Sequence, residues 1–328
     1  MYGINFSARS MARRSAPLAS GAALVSMLAL MVACQDATTE PSPVVGNSSP
    51  SFGKGGGGGG GGGSPASRIV FVSQRDQPGN VDLYMSNPDG TGITRLTTDP
   101  GVDDQPALSH DGTRVAFVTT RFGNETVMVM DLTGPGAWQL TAGQMCATPA
   151  WSADDSRVAY SCYINGDFEI YTSLRTAGSL VQLTNNATND IAPTYSPNTP
   201  YIAFSSLRDG NYEIYSMRTD GTSATRLTNS ASPDLDPAWS PDGKLIAFVS
   251  ARAGTGLEIY SMKPDGSQVT RLTNNGFADE EPSWSPDSKK LTFQSYLSGI
   301  LAVHTMNADG SGGVRITSFA ANNPTWGR

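Results

Sequence analysis

Residues 237–250 read Pro-Ala-Trp-Ser-Pro-Asp-Gly-Lys-Leu-Ile-Ala-Phe-Val-Ser, a turn signal followed by an alternating apolar run. Pro241, Asp242 and Gly243 suit a tight turn, and Ile246, Phe248 and Ser250 alternate with Ala247 and Val249 as the two faces of a strand do. The stretch recurs. Its first proline reappears as Pro106, Pro149, Pro193, Pro237, Pro282 and Pro324, at intervals of 43, 44, 44, 45 and 42 residues. Trp151, Trp239, Trp284 and Trp326 all stand two places after it. Downstream of Pro193 come a second alternating run, Glu213 to Met217, an Asp-Gly turn at Asp220-Gly221 and a Thr-Arg-Leu-Thr segment at 225–228, and other copies keep versions of the same order. Alternation punctuated by such turns predicts antiparallel strands joined by hairpins.

A period of about 44 residues holding four short strands is the signature of propeller blades. The Ile-Ala-Phe run starts at Ile69, Val115, Val158, Ile202, Ile246 and Leu291, which gives six copies. The first copy begins one strand late and the last stops one strand into a repeat, at Pro324-Thr325-Trp326. The expected fold is therefore an all-β, six-bladed β-propeller with four antiparallel strands per blade, closed by pairing of the C-terminal strand with the N-terminal strand. That closure removes a free sheet edge. The repeats resemble those of TolB-type, WD40-like six-bladed propellers across residues 67–328. The resemblance implies the fold, and it implies function only weakly, because propellers host many roles. TolB itself carries a mixed α/β domain ahead of its propeller, for which the segment before residue 67 leaves no room. The related propellers of prolyl-oligopeptidase-like enzymes precede an α/β-hydrolase domain that is not found here.

The segment before the repeats reads as an address. Residues 1–33 form a signal peptide, with Arg9, Arg13 and Arg14 ahead of an apolar run that ends at Ala33. Ala33 directly before Cys34 resembles the bacterial lipoprotein signal, in which the cysteine becomes the lipidated first residue. Residues 34–66 form a flexible tether rich in Pro, Ser and Gly, with nine consecutive glycines at Gly55 to Gly63. Such a tether has a root-mean-square span of roughly 30 Å. An extracytoplasmic, membrane-anchored lipoprotein of the periplasm or outer membrane follows as the expected localisation. In the 328-residue chain, 22 basic against 29 acidic side chains leave no surplus for neutralising a phosphate backbone, so nucleic acid is not an expected partner. Two histidines are too few for a His-rich zinc site.

Departures from the repeat carry the candidate chemistry. Three residues before each proline stand Asp103, Cys146, Asp190, Asp234, Asp279 and Ala321, and after the Ile-Ala-Phe-x run stand Ser73, Thr119, Cys162, Ser206, Ser250 and Ser295. Where Asp becomes Cys, the Ser becomes Cys too. Pairing Ala150 with Val158 around the intervening turn sets Cys146 across from Cys162, and an exported protein meets the oxidising condition a disulfide needs. Arg121, Arg208 and Arg252 are placed to compensate Asp103, Asp190 and Asp234, whereas the blade of Asp279 offers Leu297 instead. An acidic channel mouth is expected from Asp103, Asp104, Asp190, Asp234, Asp236, Asp279, Glu280 and Glu281. Such a mouth could be merely solvated, bind a basic protein segment, or hold a hard cation such as calcium at Asp234 and Asp279.

Other positions offer less. His304 replaces the tyrosine of its column and is expected in the core, and His110 is expected at a surface turn. No Gly-x-Ser-x-Gly elbow raises a serine nucleophile. Trp138 falls outside the tryptophan column and, if exposed, would suit a sugar or peptide, as would Phe277 and Phe122. The expected function is a lipid-anchored, monomeric, non-catalytic propeller that binds another envelope protein. No cofactor is required, and structural calcium could coexist with that role. The alternatives are a calcium-dependent, lactonase-like hydrolase and a glycan-binding propeller.

Overall fold

The computed structural model describes residues 67–327 apart from residues 177, 179, 255 and 298; the signal segment, Cys34 and the tether lie outside the described residues. Blade I holds β1 (Arg68–Ser73), β2 (Asp82–Ser86) and β3 (Thr94–Arg95). Blade II holds β4 (Asp103–Leu108), β5 (Arg114–Thr119), β6 (Thr126–Asp131) and β7 (Ala137–Gln139). Blade III holds β8 (Met145–Trp151), β9 (Arg157–Ile164), β10 (Asp167–Leu174) and β11 (Val181–Gln182). Blade IV holds β12 (Asp190–Tyr195), β13 (Tyr201–Ser206), β14 (Glu213–Arg218) and β15 (Thr225–Arg226). Blade V holds β16 (Asp234–Trp239), β17 (Ile246–Ser250), β18 (Glu258–Met262) and β19 (Thr270–Arg271). Blade VI holds β20 (Asp279–Trp284), β21 (Lys290–Ser295), β22 (Ala302–Asn307) and β23 (Val314–Arg315), and β24 (Asn322–Gly327) closes the chain.

Each sheet is a four-stranded antiparallel meander, and β24 is the inner strand of blade I. Ile69 pairs with Trp326 and Val70 with Thr325, so the two ends of the described chain share one sheet. The inner strands β4, β8, β12, β16, β20 and β24 each touch the next and form a closed ring around the axis. The core lies between blades. Phe71, Phe117, Tyr160, Phe204, Phe248 and Phe293 are all nearly or wholly buried, as their shared column requires. The indole N–H of Trp151 donates to the Ala107 carbonyl of the preceding blade at 2.9 Å, and that of Trp284 donates to Ala238 at 3.0 Å. The glycine of the Asp-Gly turn is tied to the same packing: at Gly221, with φ +85°, a Cβ would strike the Leu183 carbonyl of the neighbouring blade.

One register differs from the simple count. Ala150 pairs with Ala159 and Trp151 with Val158, one residue away from the plain hairpin pairing of Ala150 with Val158. A bulge between Ala147 and Ala150 then restores Cys146 opposite Cys162. The same bulge recurs at the residue before each repeat proline, where Gln105, Thr148, Ala192, Asp236, Glu281 and Asn323 have φ between 47° and 56°. Proline cannot donate to the ladder, and the extra residue absorbs that gap.

Candidate interaction face

Antiparallel pairing brings the loops that enter the inner strands and the loops that join second to third strands to one end of the propeller. The acidic residues expected at that mouth divide into two sets.

Asp103, Asp190, Asp234 and Asp279 begin inner strands and are 0 % exposed. They face Thr119, Ser206, Ser250 and Ser295 in register. Arg121 Nη2 meets Asp103 at 2.7 Å, Arg208 meets Asp190 at 2.8 Å and Arg252 meets Asp234 at 2.6 Å. Each guanidinium also donates through Nε to the Thr or Ser hydroxyl, at 3.0, 2.7 and 3.0 Å. Arg208 and Arg252 lie over the rings of Phe204 and Phe248 as well. Asp279 has no arginine and accepts from Asn275 Nδ2 at 2.7 Å. Burial pushes Asp103 and Asp279 above the usual carboxylate range, and it takes Asp234 to about 6 against the pull of Ser250 and Arg252. Removing one partner of a buried ion pair costs about 3–5 kcal/mol, so these clasps hold the inner strand to its neighbour. In blade III the same place is taken by Cys146 and Cys162, joined at an S–S distance of 2.05 Å.

Asp104, Asp236, Glu280 and Glu281 are the second set. They lie on the walls of the axial channel, on β4, β16 and β20, and are partly buried. Asp104 Oδ1 accepts from the Gln105 N–H at 2.7 Å and from Asn323 Nδ2 at 2.5 Å. Gln294 donates to Glu280 Oε2 at 3.0 Å and accepts from the Asn323 N–H at 2.9 Å. Among the described residues no Lys or Arg forms an ion pair with any of the four. Burial, with the Glu280 charge beside it, raises Asp236 to about 7. Burial also lifts Glu281 well above its ordinary value, with Asp236, Glu280 and Asp104 adding to it. Carboxylates from three blades therefore sense one another across the axis. Glu125, in the loop between β5 and β6, joins them, raised to about 7 by burial and then by Asp104. Its place is not legible from the repeat, because that loop varies between blades.

Among the described residues no three His, Cys, Asp or Glu side chains are grouped to hold a metal ion. Asp234 and Asp279, the pair considered for calcium, are each enclosed within their own blade. Trp138 is partly buried, packs into the core between blades II and III, and donates to the Arg175 carbonyl at 2.6 Å, so it offers no open platform. His304 is 3 % exposed and stacks on Phe293. His110 lies at the opposite end, with Nδ1 3.0 Å from Asp155. Around the acidic mouth the loops expose Val102, Phe122, Phe277, Tyr296, Leu297 and Ile300. An acidic channel with an apolar rim suits a basic segment flanked by apolar side chains.

The TolB beta propeller domain family matches residues 125–327. A TolB homologue from Chlorobaculum tepidum is 32% identical over 105 residues, covering 32% of this chain and 24% of its own length. The Tol-Pal system protein TolB of Desulfosudis oleivorans is 29% identical over 116 residues, covering 35% of this chain and 26% of its own length. The matches thus span about a quarter of each curated relative. The crystal structure of TolB from Acinetobacter baumannii superposes with a TM-score of 0.70 at 24% identity, over 80% of this chain and 67% of the other, which shows the shared fold.

Proposed function

The chain belongs to the TolB beta propeller domain family, and from that membership we propose that it is a non-catalytic docking platform for another protein of the bacterial envelope. In this reading Cys34 carries the lipid, residues 34–66 hold the propeller clear of the membrane, and the loop face with the acidic channel receives the partner. The observation that carries the reading is the pairing of uncompensated channel carboxylates with exposed Phe277, Leu297 and Phe122 on the same face. Burial and mutual repulsion make these carboxyls hold protons, and a basic segment seated beside them would favour their ionised form and gain charge-assisted hydrogen bonds. The envelope setting is supported by the Tol-Pal name of one relative and by the signal and lipidation grammar of residues 1–34.

A crosslinked pull-down from envelope extract tests this, comparing the native chain with a Phe277→Ser, Leu297→Ser, Glu280→Gln variant. A discrete partner should be captured by the first and recovered about ten-fold less by the second, the loss expected when central contacts are removed. Equal recovery from both would contradict a partner seated on this face.

A further inference from the structure

In blades I, IV and V the third strand begins with a buried acid and the outer strand carries an arginine that reaches it. Arg95 Nη2 meets Asp82 at 2.5 Å, Arg226 meets Glu213 at 2.7 Å and Arg271 meets Glu258 at 2.7 Å. In the same blades the arginine Nε donates to the carbonyl of the threonine two residues on, Thr97, Thr228 or Thr273. Blade II has lost both partners, with Thr126 and Gln139 in their places, and blade VI keeps the cation as Arg315, paired with His304, but has Ala302 in place of the acid. Blade III alone among these keeps the acid and loses the cation. Glu169 stands where Glu213 stands, and Gln182 pairs with Tyr171 as Arg226 pairs with Tyr215.

The consequence is a socket. Glu169 is 2 % exposed; its Oε1 accepts from the Asn186 N–H, as Glu213 Oε1 accepts from the Ser230 N–H, but without the arginine that Glu213 Oε1 also accepts from, and its Oε2 is buried without a hydrogen-bond partner. Glu169 lines an open cavity of about 310 Å³ together with Asp167, Gln182, Asn185, Asn186 and the Ile164–Gly166 turn. Burial raises the Glu169 carboxyl to about 7, with Asp190 and Asp167 adding to it and the Asn186 N–H opposing, and among the described residues no Lys or Arg pairs with it. Arg208, the basic residue bonded to nearby Asp190, is already engaged.

We propose that this cavity is a guanidinium-binding site, in which an external arginine side chain or a small guanidine takes the place held by Arg226 in blade IV. The planar fork would donate to Glu169 Oε1 and to the Thr184 carbonyl, the counterparts of the Glu213 Oε1 and Thr228 carbonyl that Arg226 uses. A compact ammonium cannot reach both at once. The site is defined by the chain's own repeats and does not depend on the docking reading.

Amide chemical shifts of the full chain, titrated with methylguanidine, test the proposal. Methylguanidine should shift the amides around Asn186 in the millimolar range, with methylammonium at least about ten-fold weaker. Glu169→Gln should abolish the shifts. Gln182→Arg should abolish them too while raising the melting temperature, because the missing arginine is restored from within, and this second variant guards against a fold defect. A blocked arginine peptide that binds more tightly than methylguanidine would identify a polypeptide as the source of the group; equal affinities would identify a free small guanidine. No shift in the native chain, undiminished binding by Gln182→Arg, or equal binding of methylammonium would overturn the proposal.

Discussion

At the scale of single residues, the channel carboxylates contribute to the molecule's response to pH, as do Asp234 and Glu169. Asp236 is raised to about 7 chiefly by burial and then by Glu280, so the folded state holds its proton more tightly than the unfolded chain does. That stabilisation is complete below the ordinary aspartate range near pH 4 and is lost as pH rises through about 7. The native chain should therefore melt at a lower temperature at about pH 8 than at about pH 5, with Glu125 acting in the same direction. Asp236→Asn should melt higher than the native chain at the upper pH and show a shallower decline; an unchanged slope would contradict the assignment. The acidic side chains themselves were legible in the sequence, but their division was not. Asp234 and Asp236 are two residues apart, yet the first closes a buried clasp with Arg252 and the second lines the channel, because the bulge before Pro237 gives Asp236 a φ of 50°. A strand count with strict alternation carries no sign of that turn.

At the scale of elements, one blade replaces a polar clasp with a covalent one. Inner strand β8 is tied to β9 by Cys146 and Cys162, sixteen residues apart, where β12 and β16 use Asp, Ser and Arg. Closing a loop of that size restricts the unfolded chain by about 3 kcal/mol. The Cys146→Ser, Cys162→Ser chain should melt about 6–12 °C lower than the native chain, and scanning calorimetry under non-reducing conditions measures the difference. An unchanged transition would mean that the bond adds no constraint. The joint change of the two columns to cysteine marks this pairing in the sequence, because opposite positions on adjacent strands change together. The socket in blade III is the same kind of signal. Gln182 in the Thr-Arg-Leu-Thr column was as visible as Cys146, but it becomes informative only once Glu169 is seen buried beneath it.

At the scale of the whole molecule, six copies in constant order make the architecture readable, since a repeat that cannot bury its own faces must stack on its neighbours. The pairing of β24 with β1 was readable for the same reason, from the strand missing at one end and left over at the other. What repeats cannot show is where the loops gather. Phe277, Tyr296 and Leu297 lie in connections that differ from blade to blade, and they become one rim only through the closed ring. The opposite end carries the turns that hold Lys244 and Lys289, both well exposed and outside the acidic mouth. The central claim is that a partner seats on the first end and not the second. A photo-crosslinking residue placed at Phe277, Leu297, Lys244 or Lys289 in living cells tests it most directly. A discrete adduct from positions 277 and 297, absent from 244 and 289, is the predicted result; adducts from the lysine positions alone, or equally from both ends, would contradict it.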